Sequence, residues 1–84
     1  MQVALKLYAS LSDHLPPQAR TTNRLELDVP AGTTVGALID AQQLPRRSCH
    51  LVLVNGVYVP PAERATHALS AGDELAIWPP IAGG

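Results

Sequence analysis

Cysteine is nearly absent from this sequence: Cys49 stands alone, so no disulfide can close within the chain and a fold held by such bridges is excluded. Charge is scarce too. Only 15% of the residues are charged, the net charge is -1 and the pI is near 6.2. That balance gives no electrostatic footprint for a nucleic-acid backbone, and Arg46-Arg47 is the only adjacent basic pair. No apolar run approaches the ~18 residues of a membrane span. The opening "MQVALKLYAS" alternates in polarity where a signal peptide would be continuously apolar. The expected compartment is the cytoplasm, with neither nucleic acid nor membrane as a partner. Repeats, low-complexity tracts and linkers are missing as well, and 84 residues suffice for one small domain. Such a chain buries ~60 to 65% of its unfolded surface, so its core must be economical.

Catalytic patterns are missing in the same way. His14, His50 and His67 are scattered over separate loops, and no metal site is expected. Cys49-His50 is the best local pair, but a lone cysteine in apolar surroundings reads as a small core residue. "GTTVGAL" lacks the lysine and the spacing of a phosphate-binding loop. The carboxylates fall on turns and outer strand faces without pairing. The chain is not expected to be an enzyme on its own.

What is present is periodicity. "QVALKLY" (2–8) sets Val3, Leu5 and Leu7 on one face, and "LELDV" (25–29) does the same with Leu25, Leu27 and Val29. These two strands are expected to pair as a wide hairpin. Between them, Leu11 and Leu15 are spaced for one face of a short helical turn that Pro16-Pro17 would stop, and 18–24 reads as a polar loop. The period then changes. Val35, Leu38, Ile39 and Gln42 recur at helical spacing, with Thr33 or Thr34 as N-cap and Pro45 as the stop. Gly36 in the first turn costs roughly 1 kcal/mol against alanine, which either a close chain approach requires or the helix simply bears.

"LVLVNGVYVP" (51–60) holds two β-rich arms around Asn55-Gly56, the dipeptide suited to a type I′ turn. Since "LVLV" is apolar throughout, that strand is expected inside the sheet or against a partner. Residues 61–74 read mostly as connection, with "SAGD" as the turn, and "ELAIW" (74–78) is the last strand. One helix across one face of a mixed four- or five-stranded sheet would bury this residue set, an α+β arrangement. Leu75 and Ile77 would then face the helix. Ala76 and Trp78 would face away, with Ala4 or Tyr8 and the outer residues of "LVLV", as an apolar docking patch.

The chain closes on "AIWPPIAGG". Glycine loses more conformational freedom on ordering than any other residue, so an end built from it stays unordered unless something grips it. Such an end offers one chemical handle, the α-carboxyl of Gly84, with no side chain on Gly83 or Gly84 to collide with a narrow channel. Residues 79–84 reach at most ~20 Å, and Pro79-Pro80 stiffens the root. A working tail and a merely frayed end are both compatible with these residues.

The blocks "LVLVNGVYV", "AGDELAIWPP" and "WPPIAGG" together resemble the MoaD/ThiS family of ubiquitin-like sulfur carriers over all 84 residues, most of all the small subunit of molybdopterin synthase. Ala71, where the family often has aspartate, and Trp78, where a smaller aliphatic or phenylalanine is common, depart from the pattern. The resemblance implies a β-grasp, ubiquitin-like fold in one domain, 1–84, with 76–84 as final strand and protruding tail. It implies that an activating enzyme resembling those of ubiquitin uses ATP to adenylate the carboxyl of Gly84. A sulfur donor protein then makes the thiocarboxylate, because adenylation supplies the leaving group that a carboxylate lacks. This chain would bind no cofactor itself. Trp78, Pro79, Pro80, Ile81, Ala82 and Gly83, with Ala76, would contact partners, among them the large subunit of molybdopterin synthase, where sulfur passes to a pyranopterin precursor of the molybdenum cofactor. Carriers for thiamine, cysteine or tRNA thiolation, and ubiquitin-like modifiers, share the diglycine.

Overall fold

A computed structural model describes residues 1–80. Five strands, β1 (Gln2–Leu7), β2 (Arg24–Asp28), β3 (Leu51–Val54), β4 (Val57–Tyr58) and β5 (Glu74–Trp78), form one mixed sheet in the order β2-β1-β5-β3-β4. β1 runs antiparallel to β2 and parallel to β5, and β3 is antiparallel to both its neighbours. The wide hairpin is therefore present, and "LVLV" lies inside the sheet as its apolar composition requires. The chain's last strand occupies the centre.

The helix α1 (Val35–Ala41) lies on the inward face. Val35, Leu38 and Ile39 join Val3, Leu5, Leu7, Val52, Val54, Leu75 and Ile77 in one core cluster. Thr34 is the N-cap: its Oγ1 accepts from the Ala37 amide at 3.1 Å. The helix stops before Pro45, at a signal that the sequence does not display. Gln43 takes a left-handed conformation (φ 57°), its amide donates to Asp40 O at 3.0 Å and the Leu44 amide to Ile39 O at 3.1 Å. This is the Schellman geometry, with glutamine where glycine is usual.

Gly36 is there for close approach. Its amide donates to Arg64 O at 2.8 Å, and a Cβ on it would meet that same oxygen at 3.2 Å. The segment between β1 and β2 is more ordered than its polar composition suggests: short 3-10 turns at Ala9–His14 and Pro17–Ala19 seat Leu11, Leu15 and Ala19 in the core. Asn55 (φ 50°) and Gly56 (φ 82°) make the expected left-handed turn between β3 and β4. The Asn55 side chain also ties that turn to the start of β5, donating to Asp73 Oδ1 and accepting from the Glu74 amide, each at 2.9 Å.

A central β5, a β1–β2 hairpin and a single helix on one face together constitute the ubiquitin-like β-grasp. The expected diglycine tail, residues 81–84, lies outside the described residues.

Candidate functional site

β5 is fastened on both sides up to its last residue. Tyr8 N donates to Ile77 O at 3.2 Å from the β1 side, and His50 N to Trp78 O at 3.0 Å from the β3 side. Beyond Trp78 come Pro79 and Pro80, which have no amide proton and cannot extend a ladder. Regular pairing ends at Trp78 for a chemical reason, and the chain leaves the sheet from its middle strand.

The outer face beside this exit divides in two. Register places Ala4, Lys6, Glu74, Ala76, Trp78, Leu51, Leu53 and Tyr58 on the face opposite the helix. Toward β3 and β4 it is apolar: Leu51 is 38% and Tyr58 49% exposed, and the Trp78 ring stacks on Tyr8 with centroids 4.2 Å apart and planes 2° apart. Toward β2 it is charged. Arg24 donates to Glu26 Oε1 at 2.8 Å and to Glu74 Oε2 at 2.9 Å, and Lys6 Nζ is 3.8 Å from Glu74 Oε1. Lys6 is held above its ordinary value, first by Tyr8, over whose ring it lies, and then by Glu74.

Of the expected contact residues, Trp78 is half-buried on this face, Pro79 is half-buried and Pro80 exposed. Ala76 is on the same face but only 6% exposed, in register between Lys6 and Leu53, so the larger neighbours supply the accessible surface. Ile81, Ala82, Gly83 and Gly84 lie outside the described residues. Tyr58 was legible but unread: a two-residue turn fixes the Leu53–Tyr58 pairing, which sets Tyr58 on the outer face.

Arg64 had no sequence signal. It is 9% exposed, and its guanidinium donates to Val59 O at 3.1 Å, Cys49 O at 2.7 Å and His50 O at 3.2 Å. It thereby joins the end of the β3–β4 hairpin to the start of β3, the strand that holds Trp78. Cys49 is buried, its thiol pushed up by burial, and it borders a cleft of about 130 Å³ with Gly36, Ile39, Arg46, Pro61 and Arg64. Arg46 of the basic pair is engaged with Asp40, Nε to Oδ1 at 3.0 Å and NH2 to Oδ2 at 2.6 Å, and this pairing holds the Asp40 carboxyl below its usual range. Among the described residues no cluster of three or more His, Cys, Asp or Glu side chains could hold a metal ion, and no helix is long and apolar enough to cross a membrane.

The fold, with its central β5, defines a ubiquitin-like protein. The ThiS family model matches residues 14–84, and the chain belongs to that family, as the MoaD/ThiS resemblance implies. Members work with partner enzymes. No curated protein matches the sequence. Among solved structures, the crystal structure of SAMP1 from Haloferax volcanii is similar at 28% identity and a TM-score of 0.69, covering 100% of both chains. The solution structure of the Haloferax volcanii HVO 2177 protein gives a TM-score of 0.77 at 24% identity, over 100% of this chain and 87% of that one. A Pyrococcus furiosus protein assigned as molybdopterin converting factor, subunit 1, gives 0.66 at 21% identity, over 96% of this chain and 99% of that one. The last two likenesses speak for the fold alone.

Proposed function

We propose that this chain is a sulfur carrier whose Gly84 carboxyl is adenylated and then converted to a thiocarboxylate, serving as the small subunit of molybdopterin synthase. The observation that supports the reading is the anchoring of β5 through Trp78, followed at once by two prolines that cannot extend a ladder, at the end of the central strand of the sheet. An activating adenylyltransferase would supply ATP, and a sulfur nucleophile from a donor protein would displace AMP from the acyl-adenylate. The carrier's C-terminal segment would then enter the large synthase subunit, with Trp78, Pro79 and Pro80 at the contact. The chain's own contribution is presentation: a carboxyl without neighbouring side chains on a scaffold with an apolar docking face.

A second reading is favoured by one comparison. The similar SAMP1 chain is described as a small archaeal modifier protein, so attachment of Gly84 to lysines of other proteins is the alternative. Intact-mass spectrometry after incubation with the activating enzyme, ATP and a sulfur source separates them. A carrier exchanges one oxygen for sulfur at its C-terminus, and a modifier appears as conjugates on other proteins. Deleting Gly84 is expected to abolish sulfur loading without altering the fold. Loading that survives the deletion would refute the assignment.

A further inference from the structure

Arg64 is a buried cation whose charge nothing in the described fold balances. It is 9% exposed, and its bonds run to the neutral carbonyls of Val59, Cys49 and His50. No carboxylate among the described residues forms an ion pair with it. Carbonyl dipoles satisfy its donors but leave a net charge in the interior, which is costly unless an opposite charge approaches. The three bonds use one N–H on each guanidinium nitrogen, so both terminal nitrogens keep a second N–H unengaged within the described residues.

That guanidinium lines the cleft of about 130 Å³ beside α1, and Arg46 brings a second one to it. Arg46 binds Asp40 through Nε and NH2, which leaves its NH1 available without breaking the pair. None of the lining residues is acidic; Asp40 stands behind Arg46 and is neutralised by it. The Cys49 thiol on the wall is kept in its neutral form by burial. The balance around the cleft is therefore positive. Ile39 and Pro61 make part of the wall apolar, and attraction between charges is screened less there than on an open surface. The cleft is smaller than the ~300 to 1,000 Å³ pockets that enclose drug-sized ligands, so its occupant must be small.

We propose that this cleft binds a small oxyanion, a phosphate or sulfate ion or the phosphoryl group of a nucleotide, between the guanidiniums of Arg64 and Arg46. Planar guanidinium forks present N–H groups in pairs that match the oxygens of such an ion, and the ion supplies the charge that the three carbonyls cannot. Every group in the site comes from α1, residues 46–49 and residues 61–64, away from the outer face of the sheet. The site stands whether or not the chain carries sulfur.

The test is a titration of the full, isotope-labelled chain with inorganic phosphate, at constant pH and with ionic strength held constant by chloride, followed by heteronuclear NMR. Saturable shifts are expected at the amides of Gly36, Ile39 and Cys49 and at the Arg64 Nε–H, with sulfate competing. Arg46→Gln is expected to weaken phosphate binding about fivefold, the loss of one charge-assisted contact at a partly exposed site. Arg47→Gln removes the same charge from the neighbouring residue, which does not line the cleft, and is expected to leave binding within about twofold. AMP titrated in place of phosphate separates the two sources of the oxyanion: tighter binding at the same resonances assigns a nucleotide phosphoryl group, and failure to compete assigns the free ion. Shifts that rise linearly without saturating, shifts that miss the Arg64 Nε–H, or equal losses in Arg46→Gln and Arg47→Gln overturn the proposal.

Discussion

The indole of Trp78 lies flat on the phenol ring of Tyr8, 4.2 Å between centroids and 2° between planes, at the last paired residue of the central strand. Tyr8 also donates its amide to Ile77 O, so the same residue secures the exit of the chain through both backbone and ring. Stacked aromatic pairs contribute ~0.5 to 1.5 kcal/mol beyond the area they bury. Tyr8→Ala is expected to lower stability in urea by about 1 to 2 kcal/mol and to weaken binding of a partner that docks around Trp78, whereas Tyr8→Phe keeps both. Urea melts and a binding titration with the activating enzyme check the two effects separately.

Helix α1 ends on a glutamine in a conformation that favours glycine. Gln43 has φ 57° and is exposed, so removing its Cβ relieves strain without opening the core. Gln43→Gly is expected to raise stability by ~0.5 to 1 kcal/mol. A destabilised variant would show that the Gln43 side chain contributes more than the strain costs.

Arg64 fastens three backbone carbonyls from within the fold. Arg64→Met strips their donors and is expected to cost about 2 to 4 kcal/mol, with Arg64→Lys intermediate because one ammonium cannot reproduce the planar fork. Since two of those carbonyls belong to Cys49 and His50, amide exchange should accelerate first at the β3 end that holds Trp78, as hydrogen exchange by NMR would show.

The thiol of Cys49 is 4% exposed and shifted upward by burial. A raised acid favours its neutral form in the folded state, so its contribution to stability is complete below the unfolded thiol value and is lost as pH rises through the folded one. In native protein at neutral pH, Cys49 is expected to resist an aromatic disulfide reagent and to react fully once urea unfolds the chain. Rapid reaction of the folded protein would contradict this placement.

The core was readable because it rests on period: Val3, Leu5 and Leu7, then Val35, Leu38 and Ile39, then Leu75 and Ile77, repeat at two or at three and four, and all are buried. The cap at Thr34 and the turn at Asn55-Gly56 were equally legible, since each depends on the conformational preference of one or two residues. The end of α1 was not, because a left-handed glutamine carries no compositional mark. The role of Arg64 was invisible for a different reason: its acceptors lie 5, 14 and 15 residues away along the chain.

The same division holds for the whole protein. Local chemistry in the sequence determined the strands, the helix start, the hairpin and the loss of pairing after Trp78, because each follows from what a residue and its near neighbours permit. Only the tertiary structure decided that β5 is central, that Gly36 admits the backbone of Arg64, that Tyr8 stacks on Trp78 at the exit of the chain, and that Lys6 meets Glu74 across the β1–β5 pair. Those relations arise from pairing strands distant in sequence, and a register between them is set by the packing of a shared core that no single segment contains.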